Sequence, residues 1–468
     1  MALKKIKLPH TLVLIYFMVV ATVIATWIVP GGEYQRVEKD GRTIPVADSF
    51  EFTERQPQGL GALFISPVRG FVDASNIIVF VFIMGGIFSV IQKTGAIGAF
   101  IHNLALKFGQ SRTLRALLIP VTMIVFSLGG AVFGMCEETM PFILVFVPLA
   151  LSLGYDTIVG VSIPFVGAAS GFAGAFFNPF TVGIAQGIAG LPLYSGVGYR
   201  LILWAVGTAI AITIVMRYAS RVLKDPKISP TYEEDRERRK NLALDTSDRE
   251  QVKLLKTHKQ VLVLFLFGLV LLVFGILKYK WYINEIAGLF LALGIFSGIV
   301  GRLSSEEMAR SFVEGTKDMV NTALIIGCAR ALLVVAMDGK ILDTTLYYMA
   351  KAIANFHPIL SSQMMFISQC VINFFVHSGT AQAALTMPIM APLGDLVGIT
   401  RQTSVFAFQL AEYINPVLPT SGVTMGVLGL AQLRWEKWAK WLIPLLVAWV
   451  ALAILSLIPA VLMRWGPL

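Results

Sequence analysis

Four ionisable residues stand in surroundings that offer them little company. Glu137 and Glu138 lie side by side in Met135-Cys136-Glu137-Glu138-Thr139, between two apolar arms. Glu412 falls three residues before Asn415-Pro416, and Arg330 interrupts the apolar run 323–336. Charges at membrane depth are costly, and they are paired or they face a cavity or pathway. One account is structural, an ion pair between Arg330 and a glutamate. The other is recognition, in which the carboxylates hold an ammonium or guanidinium group while Arg330 holds a carboxylate. That set suits an amino-acid-like zwitterion or cation better than a dianion, and a buried carboxylate could also carry a coupling proton.

Two Asn-Pro pairs add uncharged polar groups. Proline removes a backbone donor and disfavours helix in the residue before it, so Asn178-Pro179 and Asn415-Pro416 each break an apolar stretch. A helix interrupted inside a membrane exposes N–H and C=O groups that lipid cannot satisfy. Freed carbonyls suit a cation such as Na⁺, and half-helix N-termini suit an anionic group. Asn178, Thr181, Asn415, Thr420 and Ser421 are the coupling-ion candidates at these breaks. Two polar knots complete the set: Glu137-Glu138-Thr139, and His377-Ser378-Gly379-Thr380. The substrate-binding candidates are Glu137, Glu138, Thr139, Asn178, Thr181, Arg330, His377, Ser378, Thr380, Glu412 and Asn415. His377 titrates near neutrality, although a lone histidine is more often a hydrogen-bonded turn residue than a proton relay. Asp73, Asp318 and Asp338 fall near the ends of apolar runs, where water or the interface is the simpler account.

Composition says what must position these residues. Of 468 residues 56% are hydrophobic and only 14% charged, against about 25% in a soluble protein. Residues 217–259 hold 20 of the 66 charges, which leaves the rest of the chain poorer still. This is a polytopic membrane protein with one polar segment in its middle. Disorder, a secreted disulfide scaffold and a soluble metabolic enzyme are excluded. The net charge of +10 comes from basic residues gathered at the ends of apolar runs, the positive-inside pattern, so nucleic acid is not a partner. Cys136, Cys328 and Cys370 form no CxxC pair, which argues against zinc or a disulfide framework. No Walker A loop, HExxH or GxSxG occurs. The chain therefore reads as neither an ATPase nor an enzyme, with no cofactor and no metal beyond a coupling Na⁺ or H⁺.

Roughly 20 apolar residues span the hydrocarbon core as a helix. On that measure the spans are 11–29, 76–92, a broken stretch 157–191, 199–215, 260–278, 283–300, 319–337, a second broken stretch 402–430, and 438–457. Amphipathic pieces at 60–72 and 305–318 belong at the interface. Apolar hairpins cover 112–154 and 357–397, with the polar knots at their tips, and each either lines a cavity as a re-entrant hairpin or makes two ordinary spans. The first span runs outward from Lys4, Lys5 and Lys7; the polar segment 30–57 lies outside and 217–259 in the cytoplasm. The N-terminus is then cytoplasmic and the C-terminus external.

The pattern occurs twice. Thr139-Met140-Pro141 returns as Thr386-Met387-Pro388, and Asn178-Pro179 with Gly183, Gly187 and Gly190 returns as Asn415-Pro416 with Gly422, Gly426 and Gly429. The units are residues 1–216 and 279–468, joined by the loop 217–259 and the connecting span 260–278. That odd span inverts the second unit. The expected fold class is all-α, with two inverted repeats, each holding a re-entrant hairpin and a discontinuous helix, nine spans and two hairpins in all. Paired broken helices in inverted repeats point to the midplane site of a secondary transporter.

On Gly134-Met135-Cys136-Glu137-Glu138-Thr139-Met140-Pro141, Phe177-Asn178-Pro179-Phe180-Thr181, His377-Ser378-Gly379 and Asn415-Pro416, the chain resembles the YfcC-like branch of the C4-dicarboxylate anaerobic carrier family, which is related to the arginine/ornithine antiporter group. The resemblance runs along most of the chain. It implies the ion-transporter architecture, a homodimer, and a multi-pass protein of the bacterial inner membrane. The family name implies a dicarboxylate, whereas the antiporter relatives imply a basic amino acid. Neither knot has the Ser-Asn-Thr tip of the divalent-anion carriers.

Overall fold

The computed structural model describes residues 11–39, 42–46, 48–100, 103, 112–247, 255–279, 281 and 283–466. The chain is helical almost throughout. In the first half lie α1 (Thr11–Ile28), α2 (Leu60–Asp73), α3 (Ser75–Lys93), α4 (Arg112–Phe133), α5 (Met140–Ser152) and α6 (Thr157–Ala173). A turn at Pro179–Gly183 leads into α7 (Ile184–Ile188), followed by α8 (Val197–Lys224) and α9 (Tyr232–Ser247). The second half has α10 (Lys256–Tyr279), α11 (Ile283–Val300), α12 (Ser305–Lys317), α13 (Val320–Asp338), α14 (Ile341–Ile353), α15 (Pro358–Phe375) and α16 (Gly379–Leu396). It ends with α17 (Arg401–Leu410), a tight 3₁₀ turn Ala411–Val417, α18 (Gly422–Leu430) and α19 (Trp435–Leu462).

Among the described residues, eight helices are long and apolar enough to cross a membrane. They include α4 and α15, the first arms of the two expected hairpins. They do not include the two broken stretches, because each is cut into pieces shorter than a span. Helix α6 stops before Asn178-Pro179, and α17 runs into the 3₁₀ turn that holds Asn415-Pro416.

Three regions depart from the sequence reading. Segment 30–57 carries two antiparallel strand pairs, β1 (Gly32–Glu33) with β4 (Glu51–Phe52) and β2 (Arg36–Lys39) with β3 (Arg42–Pro45). Asp343 on α14 ties this segment down, accepting from the Tyr34 N–H at 3.0 Å and from the Arg36 guanidinium at 2.8 and 2.9 Å. Helix α14 itself was not expected. The polar segment 217–259 is largely helical: α8 continues to Lys224, and α9 docks through Asp235, which is fully buried. Asp235 accepts from the Thr157 N–H (2.9 Å), the Thr157 hydroxyl (2.5 Å) and the Thr231 hydroxyl (2.6 Å). Asp156 caps α6 at the Val159 N–H and accepts from the Ser229 hydroxyl at 2.7 Å. Runs of charge say "solvated loop" by composition, and only contacts reveal which acids are used to dock it.

The amphipathic helices pack reciprocally. Helix α2 lies on α13, where a Cβ on Gly70 would meet the Gly327 carbonyl at 2.3 Å. Helix α12 lies on α3, where a Cβ on Gly315 would meet the Gly85 carbonyl at 2.1 Å. Small residues permit this backbone contact, which supplies the packing that lipid cannot. The two helices share a further pattern at their ends: Gly70-x-x-Asp73-x-x-Asn76 in one and Gly315-x-x-Asp318-x-x-Asn321 in the other. Ser304 and Glu307 close a capping box at the start of α12. The hydrogen bonds from the Ser304 N–H and hydroxyl hold the Glu307 carboxyl below the usual carboxylate range.

Candidate substrate site

The two polar knots and the two helix breaks meet. A cavity of about 480 Å³ is lined by Glu137, Glu138 and Thr139 from the turn between α4 and α5, and by His377, Ser378 and Thr380 from the turn between α15 and α16. Arg330 enters from α13; Glu412, Asn415 and Ser421 enter from the second break. Asn178, Thr181 and Thr420 are not on its surface. All three are buried, Asn178 beside Gly134 and Thr181 beside Gly379 of its lining.

Each tip has a local reason for its shape. Gly134 ends α4 at φ +75°, a left-handed conformation that glycine adopts without strain. A Cβ there would also meet the Asn178 Oδ1 at 2.7 Å, so the first tip rests on the first break. Glu138, only 6% exposed, folds back to accept the Cys136 N–H at 2.8 Å. The Thr139 hydroxyl donates to the Cys136 carbonyl at 2.6 Å. Ser378 caps α16 by accepting from the Ala381 N–H, and His377 Nδ1 lies 3.3 Å from the Asn373 carbonyl, as a turn histidine would. Gly379 is wedged so closely that a Cβ would stand 2.5 Å from Thr181 Cγ2 and 3.2 Å from Glu412 Oε1.

Breaking a helix frees backbone groups that must be satisfied. Here protein side chains satisfy several of the carbonyls expected to face a cation. Gln409 donates to the Phe172 carbonyl at 2.5 Å and Thr380 to the Phe180 carbonyl at 3.0 Å. Thr424 donates to the Asn415 carbonyl at 2.8 Å. The indoles of Trp438 and Trp435 donate to the Pro416 and Val417 carbonyls at 2.7 and 2.9 Å. What stays open is side-chain oxygen: among the described residues, Thr181 Oγ1, Asn415 Oδ1 and Thr420 Oγ1, like Gln409 Oε1 and Glu412 Oε1, are buried without a hydrogen-bond partner. Oxygen of this kind is the ligand type that a hard cation takes. Asn178 does not join them, because its Oδ1 accepts the Phe180 N–H at 2.9 Å and its unpartnered atom is the donor Nδ2. Ser421 likewise caps α18 by accepting from the Thr424 N–H.

The charges arrange themselves differently from the sequence expectation. Among the described residues Arg330 pairs with no glutamate; its Nε donates to Asp73 at the end of α2. Asp338, another residue that the sequence left to water, pairs with Arg69 across the same two helices. Glu412 is 1% exposed and accepts from the Asn415 amide, with no ion pair among the described residues. The cavity is therefore lined by three glutamates and by one guanidinium, which is already engaged with Asp73. Sequence reasoning missed Asp73, Gln409 and the aromatic wall of Phe165, Phe172 and Phe180. Aromatic residues are too common in spans to mark a site. Asp73 alone had a signal, as an acid in the last turn of a helix, where the helix dipole disfavours it.

A polytopic helical membrane protein with a charged cavity at its helix breaks is the class that fold and site define. The family model of the C4-dicarboxylate anaerobic carriers matches residues 8–462, and the chain belongs to that family of membrane transporters. It is 36% identical over 469 residues to the "Putative basic amino acid antiporter YfcC" of Escherichia coli (strain K12), covering 92% of this chain and 91% of that one. An uncharacterized protein of Haemophilus influenzae is 27% identical, covering 92% and 93%. Among solved structures, the Alcanivorax borkumensis YdaH transporter aligns at TM-score 0.43 and 14% identity, covering 98% of this chain and 100% of that one. Neisseria gonorrhoeae MtrF, from a class of antimetabolite efflux pumps, aligns at 0.42 and 17%, covering 98% and 96%.

Proposed function

We propose that this transporter moves a cationic or zwitterionic amino-acid-like solute across the bacterial inner membrane by alternating access. The single observation that carries the reading is the charge balance of the cavity. Glu137, Glu138 and Glu412 face it, while Arg330 already holds Asp73. A solute with an ammonium or guanidinium group gains from such a site. A dianion would meet repulsion of several kcal/mol at low effective dielectric. The name of the Escherichia coli relative, a putative basic amino acid antiporter, points the same way. The description of the family favours the second reading, a C4-dicarboxylate.

The architecture in this proposal is two inverted units, 1–216 and 279–468, with re-entrant hairpins 112–154 and 357–397 and broken helices 157–191 and 402–430. The convergence of both tips and both breaks on one cavity supports it, as do the reciprocal packing of α2 and α12 and their shared Gly-x-x-Asp-x-x-Asn pattern. The protein works as a carrier rather than a channel or an enzyme, as a homodimer, with the N-terminus in the cytoplasm and the C-terminus outside. Na⁺, H⁺ or an exchanged solute drives it; the open oxygens of Thr181, Asn415 and Thr420 favour a cation near the breaks. A thermal-shift screen of the purified protein against amino acids, polyamines, short peptides and dicarboxylates tests the substrate class. Stabilisation by basic amino acids is the expected result, and stabilisation by dicarboxylates alone overturns it. Counterflow in proteoliposomes tests the carrier: labelled uptake should accelerate when unlabelled solute is loaded inside.

A further inference from the structure

The ion pair between Arg330 and Asp73 uses only one edge of the guanidinium. Nε donates to Asp73 Oδ2, while Nη1 and Nη2 make no hydrogen bond to the described residues and remain accessible on a residue that lines the cavity. A guanidinium offers five donors in a planar fork, so an arginine held at Nε still presents an unspent pair of Nη groups to a carboxylate. We propose that Asp73 is a positioning residue: it holds Arg330 at Nε so that the Nη groups receive the carboxylate of the solute, while Glu412 across the cavity takes its cationic end. This rests on the reading of the cavity as a site for amino-acid-like solutes.

Three features of the fold support the assignment. Helix α2 is locked to α13 by the Gly70 contact, so Asp73 has a fixed place from which to hold a long and otherwise adaptable side chain. The same two helices carry a second ion pair, Arg69 with Asp338, which supplies cohesion without touching the cavity. Asp318 occupies the matching place after Gly315 in the other amphipathic helix, yet it forms no ion pair among the described residues. The arginine is thus particular to the copy of this helix pair that borders the site.

The test compares solutes that differ by one carboxylate: L-lysine with cadaverine, and L-arginine with agmatine. Affinities are measured by titration calorimetry on the purified full-length protein. In Asp73→Asn the amino acids should bind at least about 10-fold more weakly, the worth of one charge-assisted hydrogen bond, while the two amines change little. Asp73→Glu should restore part of the discrimination. Asp338→Asn, which breaks the other ion pair, should lower the melting temperature and leave the discrimination intact. Equal losses for amino acids and amines in Asp73→Asn would make Asp73 merely structural, and tighter binding of the amino acids would make it a competitor; either overturns the proposal. If Asp73→Asn does not purify as a single species, Asp73→Ser, which also removes the carboxylate, carries the same comparison, and wild-type discrimination in it counts against the assignment. Failure of wild-type protein to bind any of the four solutes rejects the substrate class itself, and the role of Asp73 falls with it.

Discussion

Glu412 accepts a hydrogen bond from the amide of Asn415, three residues on, where the second broken stretch tightens into a 3₁₀ turn. The pair spends a neutral donor on a buried carboxylate and leaves the other oxygen beside the Gly379 backbone of the opposite tip. A carboxylate held this way awaits a cation or a proton, because an unpaired buried charge is strongly unfavourable.

Glu412→Gln should therefore remove the partner of the solute's cationic group while keeping the size and hydrogen bonding of the side chain. Breaking one side of a buried charge pair costs about 3–5 kcal/mol. Affinity for basic amino acids should fall by roughly 100-fold or more, as read by calorimetric titration. Unchanged affinity would remove Glu412 from the site.

The first tip separates function from folding. Glu137→Gln and Glu138→Gln should depress counterflow in proteoliposomes while the protein still elutes as a monodisperse peak. The Gln at 138 can still accept the Cys136 N–H. Glu138→Ala cannot, and an orphaned buried donor costs about 1–3 kcal/mol, so that variant alone should also melt earlier. Wild-type transport in both glutamine variants would refute the assignment of this tip.

Gly379→Ala places a methyl group between Thr181 and Glu412, at 2.5 and 3.2 Å from their atoms. Over-packing of a close contact costs about 1–3 kcal/mol. The expected outcome is a folded protein that basic amino acids no longer stabilise in a thermal-shift assay. Retained stabilisation of wild-type size would mean that the two tips are not held as closely as this contact requires.

Asp235→Ala tests the docking of α9 rather than the site. It strips acceptors from the Thr157 N–H and from two hydroxyls, a loss of about 1–3 kcal/mol for the buried N–H alone. The melting temperature should drop, with the lysine-to-cadaverine discrimination preserved. A change in that ratio would tie α9 to the substrate cavity.

Both Asn-Pro pairs and both polar knots stand out in the sequence, because proline and clustered polar residues override the local helix preference wherever they occur. Hydropathy could also mark Glu137, Glu138, Arg330 and Glu412 as worth attention, since a charge in an apolar run is conspicuous without any knowledge of the fold. The strands of segment 30–57 and the docking of α9 were not legible, because short polar stretches take their shape from Asp343 and from Thr157, both remote in sequence.

What the sequence alone determined is which residues are expensive to bury. Which of them meet was decided only by the tertiary structure. Arg330 finds Asp73 across 257 positions and not a glutamate, because α2 lies on α13 at a contact that only Gly70 permits. The freed carbonyls of both breaks find Gln409, Thr380, Thr424 and two indoles. Partners of a charge or a carbonyl are set by distance in space, to which spacing along the chain is blind.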